Sequence, residues 1–95
     1  MADLLDDATL QARVAELDGW SGTPDEGISK TFQRKDFNDS VSFLNRVAEL
    51  ADEADHHPDV AISWNKVTLT YITHFKGGVT EADVEQARAI DERLG

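Results

Sequence analysis

The chain has 95 residues, no cysteine, and 19 acidic against 9 basic side chains, for a formal net charge of −10. That length fits one domain whose core is small enough to leave apolar surface for a partner copy, and the lack of thiols excludes disulfides, thiolate metal sites and cysteine nucleophiles. The acidic balance without a basic cluster argues against direct binding to DNA or RNA, and no apolar run is long enough to cross a bilayer.

The opening stretch Met1-Ala2-Asp3-Leu4-Leu5-Asp6-Asp7 is acidic where a secretory signal is basic, which predicts a soluble, cytoplasmic protein. Its acidity suits a salt-rich cytoplasm and an ordinary bacterial one equally. Leu10, Val14 and Leu17 recur at helical spacing and predict a helix over residues 7 to 17, ended before Gly19. An extended segment starts at Trp20, residues 22 to 27 are dense in turn formers, and Ile28 and Phe32 mark a second strand over residues 28 to 35. A long helix follows over residues 37 to 54, with Asp36 or Asn38 as its cap. It carries two apolar rows. One is Phe37, Val41, Leu44, Ala48 and Ala51, the other Phe43, Val47 and Leu50. That is wider than one sheet contact requires, so either both rows enter the core or one meets a partner subunit. After Pro58 the period changes to two. Val60, Ile62 and Trp64, then Val67, Leu69 and Tyr71, predict a hairpin with its tip at Asn65-Lys66. Gly77-Gly78 closes the second strand. Thr80 to Asp83 has the spacing of a capping box, opening a last helix with Val84, Ala87, Ile90 and Leu94 inward. The order α-β-β-α-β-β-α predicts an α+β fold, a four-stranded antiparallel sheet with three helices on one face, as a single domain over residues 1 to 95.

The concentrated chemistry is Asp55-His56-His57-Pro58 together with His74. Neither a helix nor a strand aims two adjacent side chains at one small ligand. A helix end can, and proline disfavours the α conformation in the residue before it, so His56 is expected to end the helix and His57 to be extended. His74 falls on the strand face opposite Val67, Leu69 and Tyr71, which places the pocket at a sheet rim. Three readings of the histidines follow: helix-end and strand-end polar residues; a three-histidine metal site, disfavoured because adjacent histidines rarely chelate one ion; and metal-free acid–base catalysis. Asp52, Glu53 and Asp55 stand close enough in sequence to favour imidazolium on at least one histidine.

Asp52, His56-His57-Pro58, Trp64, His74 and Asp83, in that spacing, resemble the signature of the pterin-4a-carbinolamine dehydratases. The resemblance extends to Gly19-Trp20, Phe-Gln-Arg-Lys-Asp-Phe at residues 32 to 37, Asn45-Arg46-Val47-Ala48 and Asn65-Lys66-Val67, and so covers nearly the whole chain. It implies dehydration of a 4a-hydroxytetrahydropterin, such as 4a-hydroxytetrahydrobiopterin, to the quinonoid dihydropterin without metal or organic cofactor. It makes His56, His57 and His74 the acid, base and ring-positioning groups, without saying which is which. Asp55 would orient a histidine or the pterin, Ile72, Thr73 and Phe75 would line the substrate, and Trp20 would wall the pocket or else serve as a plain core aromatic. Asp52, Pro58 and Asp83 are supporting residues, and Asp83 is accounted for equally well as a helix cap. Phe75-Lys76 departs from the Glu-Cys pair of the animal proteins, and Asp52 from a more usual Glu. The family also implies a homodimer or homotetramer built by sheet extension and packing of the long helices. Rival readings are a non-catalytic dimeric pterin-binding or protein-interaction module, or a related pterin role in folate or molybdopterin metabolism.

Overall fold

The computed structural model describes residues 3 to 94; Met1 and Ala2, part of the acidic opening stretch, and Gly95 lie outside them. The elements are α1 (Asp7–Ala15), β1 (Ser21–Thr23), β2 (Gly27–Gln33), α2 (Phe37–Ala54), β3 (Asp59–Ser63), β4 (Lys66–Tyr71) and α3 (Glu81–Arg93). The strands form one antiparallel sheet in the order β1-β2-β4-β3. This is the expected α-β-β-α-β-β-α architecture. Register explains which side is covered. Ile28 pairs with Tyr71, Lys30 with Leu69 and Phe32 with Val67, so these side chains share the face that packs on the helices. Ser29, Thr31, Thr68 and Thr70 share the other, where the Thr31 and Thr68 hydroxyls meet at 2.8 Å.

Leu10 and Val14 of α1, Phe43, Val47 and Leu50 of α2, and Val84, Ala87 and Ile90 of α3 close over the covered face. The row Phe43, Val47 and Leu50 of α2 enters the core whole; the other is split, with Phe37 55% and Val41 37% exposed at its start and Ala51 buried at its end. Lys30, a charge on the core face, reaches Asp91 of α3 at 3.0 Å, and Trp20 Nε1 donates to the same carboxylate at 3.1 Å. Gly27 has φ +91, and a Cβ there would stand 2.8 Å from the Tyr71 carbonyl oxygen, so β2 can lie this close to the end of β4 only with glycine.

Several details differ from expectation. Helix α1 stops at Ala15, two residues short of Leu17, and strand β2 stops at Gln33, two residues short of Lys35. The hairpin turn is Trp64-Asn65, not Asn65-Lys66, because Ser63 pairs with Lys66 and Trp64 takes up the turn at φ 53. Helix α2 ends at Ala54, as its span predicts, but His56 is not its last residue, because Asp55 adopts the left-handed conformation at φ 53, ψ 43.

At its other end α2 is capped by Asp36, whose carboxylate accepts the Asp39 amide at 2.8 Å. Asp39 in turn accepts the Lys35 amide at 2.8 Å and the Arg34 Nε–H at 3.2 Å. The Lys35 amide, and then Arg34, hold the Asp39 carboxyl below its ordinary value of 3.8. A carboxyl depressed in the folded chain stabilises it above the unfolded value and ceases to do so as pH falls through the folded one. Asp39→Asn is therefore expected to be less stable than the parent in urea at neutral pH, with the gap closing as pH drops below 3.8. A gap unchanged across that range would assign the effect to shape and not charge.

Candidate active site

Four chain ends meet at one end of the sheet: the close of α2, the start of β3, the exit of β4 and the start of α3. Helix α2 closes with the amides of Asp55 and His56 donating to the carbonyls of Asp52 and Ala51, at 3.2 and 3.1 Å. This pair of hydrogen bonds around a left-handed residue satisfies the last carbonyls and turns the chain sharply, and aspartate tolerates that conformation better than most residues. It delivers His56 inward and leaves His57 at the surface. Pro58 then leads into β3. On the opposite side, Thr73 and Gly78 form an antiparallel bridge that closes a loop, and His74–Lys76 makes a 3₁₀ turn within it. Leu5 donates its amide to the Val79 carbonyl at 2.8 Å, bracing the segment that leads into α3.

Each histidine meets a carboxylate through Nε2. His56 lies 2.6 Å from Asp83, His57 2.8 Å from Asp52 and His74 3.1 Å from Asp59. The environments differ greatly. Asp83 is fully buried and the His56 side chain only 17% exposed, whereas the other two pairs are more than half exposed on both sides. Solvent competes for the exposed pairs, so their geometry is loose, while the buried pair is held on all sides.

The buried pair is the end of a network. Asp83 Oδ2 accepts the Thr80 amide at 2.8 Å, as in a capping box, and the Thr73 hydroxyl at 2.9 Å; the Thr73 and Thr80 hydroxyls are 2.8 Å apart. The His56 ring stacks on Tyr71 with centroids 5.7 Å apart and planes inclined by 22°. Burial, and secondarily the charge of Asp83, push the Tyr71 phenol above its ordinary value of 10, and it donates to Gln86 Oε1 at 3.1 Å. Asp83 thus caps α3 and fixes His56 together. Its place in the first turn of α3 also suits a negative charge.

Among the described residues, no group of three or more potential ligands is placed to hold a metal ion. Asp55, expected to orient a histidine or the pterin, is exposed and forms the helix's left-handed cap, and the carboxylates paired with the histidines are Asp52, Asp59 and Asp83. Of the acidic residues expected beside the pair, Asp52 faces His57, while Glu53 turns to Arg93 at 3.6 Å. Trp20 is the core aromatic of its two readings: it is 4% exposed and packs on Phe32 and Tyr71, the latter standing between it and His56. Thr73 was expected to line the substrate, yet its side chain is buried and committed to Asp83. Ile72 is half-buried beside Gly27, and Phe75, next to His74, is 86% exposed. A groove of about 170 Å³ between α2 and α3, lined by Arg46, Glu49, Leu50, Glu53, Arg93 and Leu94, contains none of the histidines.

Sequence reasoning missed Asp59, Tyr71 as a ring support, Thr80 and Gln86. Asp59 was within reach of it. The alternation that puts Val60 and Ile62 on the covered face puts Asp59 on the other one, where His74 was already expected.

The profile of the family described as pterin 4 alpha carbinolamine dehydratase matches residues 3–93. A relative from Roseiflexus castenholzii, provisionally named a pterin-4-alpha-carbinolamine dehydratase, is 47% identical over 97% of this chain and 98% of its own. One from Thermosynechococcus vestitus, named in the same way, is 43% identical over 95% and 94%. The crystal structure of a transcriptional coactivator/pterin dehydratase from Brucella melitensis superposes with a TM-score of 0.88 at 32% identity, covering 98% of this chain and all of that one.

Proposed function

The chain belongs to the pterin 4 alpha carbinolamine dehydratase family, and from that premise we propose that it is a hydro-lyase that converts a 4a-hydroxytetrahydropterin to the quinonoid dihydropterin by histidine acid–base catalysis. The observation that carries this reading is the gathering of three carboxylate-paired histidines at one end of the sheet. In the reaction the C4a–O bond breaks, the departing oxygen takes a proton and leaves as water, N5 loses its proton, and a C4a=N5 double bond forms. Protons balance, so one group that gives and one that takes suffice, and no metal or organic cofactor is called for. Imidazoles in unlike surroundings are suited to hold opposite protonation states in one site. His57 and His74, exposed beside Asp52 and Asp59, can exchange protons with solvent between turnovers.

The protein works as a homo-oligomer in this reading. The support is the outer row of α2, where Phe37 and Val41 remain exposed, and the exposed Trp64 at the nearby hairpin turn, whose carbonyl accepts from Ser40 of α2 at 2.9 Å.

The test is His57→Ala and His74→Ala, singly and together, assayed on 4a-hydroxytetrahydrobiopterin. Each single change is expected to lower kcat by about 10²–10⁴-fold, and the pair to abolish dehydration above the uncatalysed rate without altering the mass in solution. Dehydration that survives both changes refutes the catalytic assignment.

A further inference from the structure

We infer that Thr73 and Thr80 are positioning residues for His56: their hydroxyls form a buried relay that keeps Asp83 a pure acceptor, fixes His56 as the Nε2–H tautomer, and makes Nδ1 the nitrogen presented to substrate. The inference rests on the dehydratase reading for its last clause only. Its first part concerns hydrogens that can be counted.

Thr73 and Thr80 are 2% and 0% exposed, so solvent supplies neither hydroxyl with a partner. Each hydroxyl has one hydrogen to give. Asp83 Oδ2 accepts the Thr80 amide and sits 2.9 Å from Thr73 Oγ1; an oxygen that takes an N–H has no proton to return, so Thr73 donates to it. With its hydrogen spent there, Thr73 can only accept across the 2.8 Å contact to Thr80, so Thr80 is the donor. Every hydrogen in the relay therefore points toward the carboxylate. Two donors on Oδ2, in the first turn of α3, hold negative charge on Asp83, and the proton in its 2.6 Å contact with His56 stays on nitrogen. Nε2 is thereby a donor, and the neutral ring carries its lone pair on Nδ1. Tyr71, stacked at 5.7 Å, holds the ring plane. At the end of α2, packed beside it, the Ala51 carbonyl accepts the His56 amide at 3.1 Å.

Threonine is required for its oxygen and not its shape, which valine reproduces in volume. Thr73→Val should strip one of the two donors from Oδ2, loosen the carboxylate and disorder the His56 ring. A hydrogen bond to a charged group is worth enough for kcat to fall about tenfold, with KM moving less than about twofold because the hydroxyl never meets substrate. Thr73→Ser, which restores the oxygen, should restore kcat.

The deciding experiment is ¹⁵N NMR of the histidine side chains in the full chain without substrate, at about pH 8, where free imidazole is neutral. His56 is expected with its proton on Nε2 in the parent and in Thr73→Ser, and with altered ring shifts in Thr73→Val. A parent His56 protonated on Nδ1 overturns the inference, whether or not any variant folds. So does a folded Thr73→Val with parental shifts and parental kcat, or a Thr73→Ser that fails to restore what valine removes. The ring shifts do not depend on the pterin, so a parent that shows the Nε2–H tautomer but no dehydration would refute the proposed function and leave the relay standing.

Discussion

Asp83→Asn is expected to lower turnover by about 10²–10⁴-fold while leaving the fold intact. The amide oxygen can still accept the Thr80 amide and the Thr73 hydroxyl, which both point at Oδ2, so the cap on α3 and the relay persist. The amide nitrogen then takes the place of Oδ1 and presents N–H to His56 Nε2 at 2.6 Å. Two donors cannot face each other at that distance. Nε2 must become the acceptor, its proton moves to Nδ1, and the ring offers substrate a donor where it had offered a lone pair. Asp83→Ala should behave differently: it leaves the buried Thr73 hydroxyl and Thr80 amide without their acceptor and removes the cap, so stability falls by about 2–4 kcal/mol along with activity. The comparison is read from kcat, KM and a urea midpoint for each variant. An Asp83→Asn protein with parental kcat would show that the His56–Asp83 pair is structural only.

Phe43→Ala and Phe37→Ala, the same change six residues apart on α2, are expected to have opposite consequences. Phe43 is fully buried, with the Phe32 ring centroid 4.8 Å from its own and the Arg34 guanidinium over its face at the same distance. Truncating it leaves a cavity in a small core and should cost about 3–5 kcal/mol. Set against a total stability of about 5–15 kcal/mol for a domain, that brings the folded state close to failure. Phe37 is 55% exposed, so its loss should change chain stability by no more than about 0.5 kcal/mol. Its effect should appear in association, because it belongs to the row proposed to meet a second copy. Urea denaturation separates the first effect, and sedimentation at several concentrations the second. A Phe37→Ala protein with unchanged mass would remove that row from the interface.

The long helix was the most legible element because its signals agree: Asp36 at the cap, apolar spacing throughout, and both ends as expected at Phe37 and Ala54 for the helical span. Its stop was read from the wrong residue. Pro58 drew attention as the breaker, but proline constrains only the residue before it, whereas the chain leaves the helix at Asp55 through a left-handed turn whose bonds involve Ala51 and Asp52. That turn precedes both histidines and carries them together off the helix axis. The hairpin tip slipped by one residue for a similar reason, since a positive φ at Trp64 is invisible in a residue type that seldom adopts it.

His74, expected on the face of a strand, stands in the 3₁₀ turn beyond β4, and at the site residue types alone could be read from the sequence. Their partners could not. His56 finds Asp83 across 27 positions and His74 finds Asp59 across 15, distances that only the packing of α3 and the register of β3 on β4 convert into contact. The resemblance supplied Asp83 as a supporting residue, but only the buried network distinguishes a cap that also orients a histidine from a cap alone. Trp20 shows the limit in the other direction: a tryptophan beside a turn fits a pocket wall and a core aromatic equally until Asp91 and Tyr71 are seen to enclose it.

The central claim is tested most directly by following the decay of 4a-hydroxytetrahydrobiopterin by its absorbance, with the purified parent protein at several concentrations, in the presence and absence of a metal chelator. A rate of dehydration that rises in proportion to enzyme and is the same with chelator is the expected result. A rate that stays at the uncatalysed value at every enzyme concentration, from a folded protein, would contradict it.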